Sequence, residues 1–359
     1  MKKLVSILLV LVLSLSLLTV ASAEAPKKVG VAMPTMDLQR WIQDGDNMKK
    51  QLEAAGYEVD LQYANNEVAT QVSQIENMIL NEVQVLVVAS IDGSALGTVL
   101  AQAKEAGIPV IAYDRLLTAT EAVDYYTTFD NYKVGQIQGQ YVIDTLDLAN
   151  TDKTYTIEFT AGSPDDNNAV LFFAGAFDLL KPYLDSGKLV CVSGQTDFAT
   201  VATPAWKSET AQARMDNILS AYYPDALTGG QTLDICLCSN DSTALGVTNS
   251  LVAAGFTTEN IPLITGQDCD KPNVKNMVKG LQAMSVFKDT RTLAGKVVEM
   301  VQAIMDGKEP PINDTTTYDN GTGVIPSYLC EPVSGTIDNY KELLVDSGYY
   351  TAEQLGIAE

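Results

Sequence analysis

Charged and amide side chains gather at particular points of this chain, directly after apolar runs. Ile108 to Tyr113 is the kind of run that fills a buried strand, and it ends in Asp114 and Arg115. Five more runs end the same way. After "KVGVAM" come Arg40 and Trp41; after "TYTIEFTAG" comes "SPDDNNA", with Asp165, Asp166, Asn167 and Asn168. Asn240 and Asp241 follow "LDICLCS", Gln267 and Asp268 follow "PLITG", and Lys288 and Asp289 follow "MSVF". At any one place this is an ordinary solvated end of a strand, but six repetitions point to a binding edge. Carboxylates accept hydrogen bonds, Arg and Lys only donate, and Asn does both. That mixture suits neutral hydroxyl groups, each a donor and an acceptor. An anion would call for donors alone, and a peptide or lipid for a larger apolar lining. Trp41 and Trp206 are the only tryptophans. Both are expected in loops beside polar strand ends, where an aromatic face can cover the C–H face of a sugar ring. Trp41 could instead cap the first helix.

The elements that must position these groups alternate. Strand-like runs at "KVGVAM", "YEVDLQYA", "VQVLVVAS" and "PVIAYD" are separated by helical patterns such as "QRWIQDGDNMKKQLEAAG". The alternation resumes after "YYTTFDN" with "TYTIEFTAG", "KLVCVS", "LDICLCSND", "PLITGQD" and "LQAMSVFKD", then "TRTLAGKVVEMVQAIMDG". Strands alternating with helices imply βαβ units and parallel sheets. The expected fold is α/β, with two similar parallel-sheet units. In such sheets, ligands bind beyond the carboxyl ends of the strands.

Composition narrows the chemistry. Histidine is absent, which excludes Ser-His-Asp and Cys-His catalysis and His-containing metal sites. No D-x-[DN]-x-[DN]-G run is present, so no metal and no cofactor are expected. The start, "MKKLVSILLVLVLSLSLLTVASA", reads as a signal peptide, residues 1–23, cleaved after Ala23. The first cysteine is Cys191, so no lipid anchor is expected at the cleavage point, and a periplasmic location follows. The net charge of −22 becomes −24 when Lys2 and Lys3 leave. So acidic a surface disfavours nucleic acid as a partner. Five cysteines leave at least one free thiol. Cys236 and Cys238 read as core residues of one strand face. A glycoside-processing enzyme built on Asp165 and Asp166 is a weaker reading, since no pattern separates an acid from a base.

Taken in order, "RW", "QIENMI", "AYDR", "FDNYKVG", "GSPDDNNA", "LKPYLDSGKLV", "TAQARMDNILSAYY", "GQD" and "FKDTR" resemble the periplasmic monosaccharide-binding proteins of ABC importers. The likeness is to the xylose-binding and multiple-sugar-binding groups, and "PSYLCEPV" and "VDSGYY" resemble the latter. The resemblance implies a type I periplasmic binding protein: two Rossmann-like lobes, joined by three crossings, closing on one monosaccharide. It implies a first lobe of residues 27–131 and 289–322 and a second of 132–288 and 323–359. Ligand-binding residues would be Arg40, Trp41, Asp114, Arg115, Asn168 or its neighbour Asn167, Trp206, Asn240, Asp268 and Lys288. Trp41 and Trp206 would stack on the sugar. Asn240 fits the xylose-type pattern and departs from the multiple-sugar pattern, which leaves the sugar open among pentoses and hexoses. The implied partners are a membrane permease with its ATPase, or a chemoreceptor or sensor kinase. A monomer that is not an enzyme is expected.

Overall fold

The structure, a computed structural model, describes residues 27–357. The expected signal peptide lies outside the described residues. None of the described helices is long and apolar enough to cross a membrane.

The first sheet contains β1 (Lys28–Met33), β2 (Glu58–Tyr63), β3 (Val85–Val88), β4 (Val110–Tyr113), β5 (Tyr125–Phe129) and β11 (Ser327–Cys330). Their order across the sheet is β11-β5-β4-β3-β1-β2, and every pairing is parallel. β3 and β4 are buried throughout, as "VLVV" and "VIAY" require of strands covered on both faces. Alternate residues feed two cores. Val29, Val31, Val85, Val87 and Ile111 face α1 (Gln39–Ala54) and α10 (Thr290–Met305). Ala32, Leu86, Val88, Val110 and Ala112 face α2 (Val68–Leu80) and α3 (Gly97–Glu105). In α1 the buried positions Trp41, Asp44, Gly45, Met48 and Leu52 recur every three to four residues, one helical face.

The second sheet repeats the plan with β7 (Leu189–Val190), β6 (Tyr155–Thr160), β8 (Ile235–Cys238) and β9 (Leu263–Ile264), in that order and all parallel. A single bridge, Gln267 to Val286, continues it towards β10 (Met284–Phe287). β10 pairs antiparallel with β12 (Val333–Thr336). Its helices are α4 (Asn131–Thr145), α5 (Asn167–Asp185), α6 (Phe198–Val201), α7 (Ser208–Tyr222), α8 (Asp241–Ala253) and α9 (Lys271–Val278). A one-turn helix α11 (Ala352–Leu355) ends the described chain. Cys236 and Cys238 do face one core, and all five cysteines are free thiols.

Strand membership locates three crossings, between β5 and α4, between β10 and α10, and between β11 and β12. The third differs from the expected change of lobe at 322/323. β11 adds to the first sheet beside β5, so the chain leaves that sheet only after Cys330. Asp130 N–H donates to the Cys330 carbonyl, which ties the first crossing to the third.

Candidate functional site

The carboxyl ends of both sheets face one cleft, where a small pocket lies between the two lobes. Nine of the ten expected residues line it: Arg40, Trp41, Asp114, Arg115, Asn168, Trp206, Asn240, Asp268 and Lys288. Asn167 does not, since it is exposed on the first turn of α5. Leu38, Asp166, Phe172 and Gln267 complete the wall.

Asp114 sits where β4 ends, in a left-handed conformation with φ 59°, which Asp tolerates better than most residues. Its N–H donates to the Thr127 carbonyl. Its own carbonyl accepts from Tyr126 Oη at 2.6 Å, Thr128 Oγ1 at 2.9 Å and Asn168 Nδ2 at 2.6 Å. The turn is thereby clamped, and the carboxylate is turned into the cleft. Arg115 is held by the Ser90 and Ile91 carbonyls, which accept from its Nη1.

Charges pair across the cleft. Arg40 Nη2 lies 2.9 Å from Asp114 Oδ1 in the same lobe, and Arg40 Nη1 lies 3.7 Å from Asp268 Oδ1 opposite. Arg115 Nε is 3.0 Å from Asp166 Oδ2, and Lys288 Nζ is 3.0 Å from Asp268 Oδ1. All these side chains are buried. Burial alone would raise the Asp114 pKa, but Arg40, Lys288 and Arg115 outweigh it and hold the carboxyl below the usual range. Burial raises Asp166 above that range, and Arg115 offsets this only in part. For Arg40 burial works against the charge, yet Asp114, Asp44 and Asp268 raise its pKa well above the ordinary value.

Close charges do not exhaust the hydrogen bonding. Asp114 Oδ1, Asp268 Oδ1 and Arg115 Nε stand beside opposite charges without aligned hydrogen bonds, and Gln267 Oε1, Trp41 Nε1 and Trp206 Nε1 have no hydrogen-bond partner. Buried polar groups of this kind are normally satisfied. Here such donors and acceptors gather around one small cavity. Asn240 Oδ1 is committed to capping α8 through Thr243 N–H. Asn168 is also committed, with its Oδ1 accepting from Asn131 Nδ2 and its Nδ2 donating to the Asp114 carbonyl.

Trp41 differs from the loop position expected of it. Trp41 lies in the first turn of α1, not in a loop, and is 2% exposed. The guanidinium carbons of Arg40 and Arg115 lie 4.5 and 5.1 Å from its ring centroid. Trp206 ends a 3-10 turn, Pro204–Trp206, after the left-handed Ala205. Its ring meets Phe172 edge-on at 6.3 Å between centroids. Phe172 was missed, although it stands one helical turn beyond Asn168, which puts both on one face. Asp166 appeared among the strand ends and as half of a carboxylate pair without being chosen as a binding residue. Asp165 is exposed and Asp166 is buried, so the two do not face one bond. Gln267 appeared among the strand ends without being chosen.

Comparison with known proteins agrees with this architecture. Residues 29–309 match the periplasmic binding protein domain. The multiple sugar-binding periplasmic receptor ChvE of Rhizobium radiobacter is 50% identical over 340 residues, covering 94% of this chain and 95% of that protein. The D-xylose-binding periplasmic protein of Escherichia coli K12 is 36% identical over 353 residues, 98% of this chain and 100% of that one. A solved ABC transporter solute-binding protein from Clostridium phytofermentans, with bound β-D-glucose, superposes with a TM-score of 0.88 at 61% identity, covering 92% of this chain and all of that one (100%). With two parallel-sheet lobes, three crossings and a shared polar cleft, the chain belongs to the periplasmic binding protein family.

Proposed function

We propose that the protein captures one neutral monosaccharide, a pentose or hexose aldose, in this cleft and delivers it to an ABC permease. The observation that carries the reading is the ring of donors and acceptors without aligned partners, set among Trp41, Trp206 and Phe172. Sugar hydroxyls both donate and accept, so one aldose can satisfy carboxylate, amide, indole and guanidinium groups together. The aromatic rings offer the apolar faces that the C–H side of a pyranose needs. Asp114, Asp166, Asp268 and the net charge of −22 disfavour an anionic ligand. The names and ligands of the relatives support the same class, with glucose bound in two of the solved structures and xylose in the name of another relative. They also support a periplasmic location. Arg40, Trp41, Asp114 and Arg115 would hold the sugar from the first lobe, and Trp206, Asn240, Asp268 and Lys288 from the second lobe and hinge. Asn168 would brace the wall. Closure would be a hinge motion around the three crossings, and the closed shape would be what the permease recognises. Isothermal titration against aldoses and their phosphates tests the reading. Binding of at least one neutral aldose is expected. Failure to bind any, or tighter binding of a sugar phosphate, would overturn it.

A further inference from the structure

Asp44 lies one turn beyond Arg40 on α1, fully buried, and is not among the residues that line the cavity. Its Oδ2 accepts from Arg40 Nε and Nη2 at 2.9 and 2.8 Å. Its Oδ1 accepts from the Tyr113 hydroxyl. Tyr113 is the last residue of β4, immediately before Asp114. One carboxylate therefore joins the helix that carries Arg40 to the strand that carries Asp114. An exposed pair at this helical spacing would count for little. This pair is removed from water, and burying an isolated carboxylate is costly unless it is paired and hydrogen-bonded. Two N–H groups of the guanidinium fork are fixed on Asp44. Because the fork is planar and rigid, this also fixes the direction of Nη1, which faces Asp268 across the cleft at 3.7 Å.

We propose that Asp44 is the positioning residue of the sugar site: together with Tyr113 it sets the plane of the Arg40 guanidinium between Asp114 and Asp268. The inference rests on the monosaccharide reading above and names how that same site is kept in shape and made sensitive to pH. Burial raises the Asp44 pKa to about 6, with Arg40 opposing the rise and Asp114 adding to it. The titratable groups around it come from four directions. Arg40 shares its helix, and Tyr113 and Asp114 come from β4. Tyr63 comes from β2 and Tyr349 from the C-terminal segment, and both feel the Asp44 charge. The three tyrosines are pushed up by burial, Tyr63 to about 12, and stay neutral between pH 5 and 8. Asp114 is held below the usual range and stays charged. Asp44 is thus the member of this group whose charge changes near pH 6. As the pH falls through that value Asp44 takes up a proton, Arg40 loses its anchor, and sugar affinity falls.

The test is calorimetric titration with D-glucose from pH 5 to pH 8 on the wild type, Asp44→Asn and Tyr113→Phe, with thermal unfolding of each. Asp44→Asn removes the charge and keeps the shape. It is expected to bind glucose about tenfold more weakly at pH 7.5, the scale of one lost charge-assisted bond. The part of the wild-type fall near pH 6 that Asp44 causes should be absent in this variant. Asp166, Asp241 and Asp270, which burial also raises, are common to both profiles, so the difference between them isolates Asp44. Tyr113→Phe removes a donor to the Asp44 carboxylate and should move the fall to higher pH. Wild-type affinity with an unchanged pH profile in Asp44→Asn would overturn the inference alone. If Asp44→Asn does not fold, an unshifted profile in Tyr113→Phe overturns it. Absence of binding of glucose and every other aldose by the wild type would overturn the monosaccharide reading and this inference with it.

Discussion

Asp114 concentrates the electrostatic logic of the cleft in one residue. Its backbone carbonyl receives three donors, so its carboxylate is fixed before any ligand arrives. Three cations keep that carboxylate ionised despite burial. Asp114→Ala should therefore weaken aldose binding by about tenfold or more, because Arg40 and the sugar hydroxyls lose a buried acceptor. Calorimetry on the folded variant checks this, and wild-type affinity would count against the assignment. Much of the site was legible at this scale, since Asp114, Arg115, Asp268 and Lys288 each interrupt an apolar run. Phe172 and Asp44 were not. Phe172 looks like any core aromatic in "AVLFFAG", and only the fold shows that its helical face meets the cleft. Asp44 reads locally as no more than an ordinary i,i+4 partner of Arg40, because its other partner, Tyr113, is 69 residues away in the chain.

At the scale of elements, the sequence announced the long strands and helices through their periods. It did not announce β11, β12 or the π-helical turn Lys341–Asp346. "SYLC" and "VSGT" are short and neither continuously apolar nor cleanly alternating, so only tertiary pairing makes them strands. The turn that presents Trp206 depends on tertiary context in the same way. Ala205 and Trp206 both adopt positive φ, 52° and 57°, which costs an L-residue roughly 1–2 kcal/mol each. Bonds at both ends hold the turn. Ala205 N–H donates to Ser163 Oγ at 2.8 Å, and Ser242 Oγ donates to the Trp206 carbonyl at 2.5 Å. The indole then lies against the backbone of Gly162, where a Cβ would overlap three of its ring carbons. Gly162→Ala should displace the indole, shift its emission and weaken aldose binding by up to about tenfold, the scale of a misplaced aromatic contact. The fold should survive, since the change falls at a strand end. Unchanged emission and affinity in this variant would show that the close approach does not position Trp206.

For the whole molecule, function depends on how two lobes share one small cavity. Trp41 belongs to the first lobe and Trp206 to the second, and in the closed cleft they are 2% and 5% exposed. Arg40 with Asp268, and Arg115 with Asp166, join the lobes in this arrangement. A sugar can shift an open–closed equilibrium only through contacts it makes better in one state. Residues divided between lobes supply that difference, because an open cleft offers the ligand one wall at a time. Aldose addition should therefore reduce the radius of gyration in solution scattering. Since no other tryptophan is present, the change in intrinsic fluorescence should arise wholly from this cleft. Closure buries apolar surface, so the binding heat capacity should be negative. Trp206→Ala should bind more weakly and lose most of the spectral response, while Trp41→Ala should also disturb the core into which Trp41 packs. Compaction is the decisive measurement. Tight aldose binding with an unchanged radius of gyration and unchanged emission would mean that the ligand occupies one lobe alone, and that the ion pairs across the cleft form independently of it.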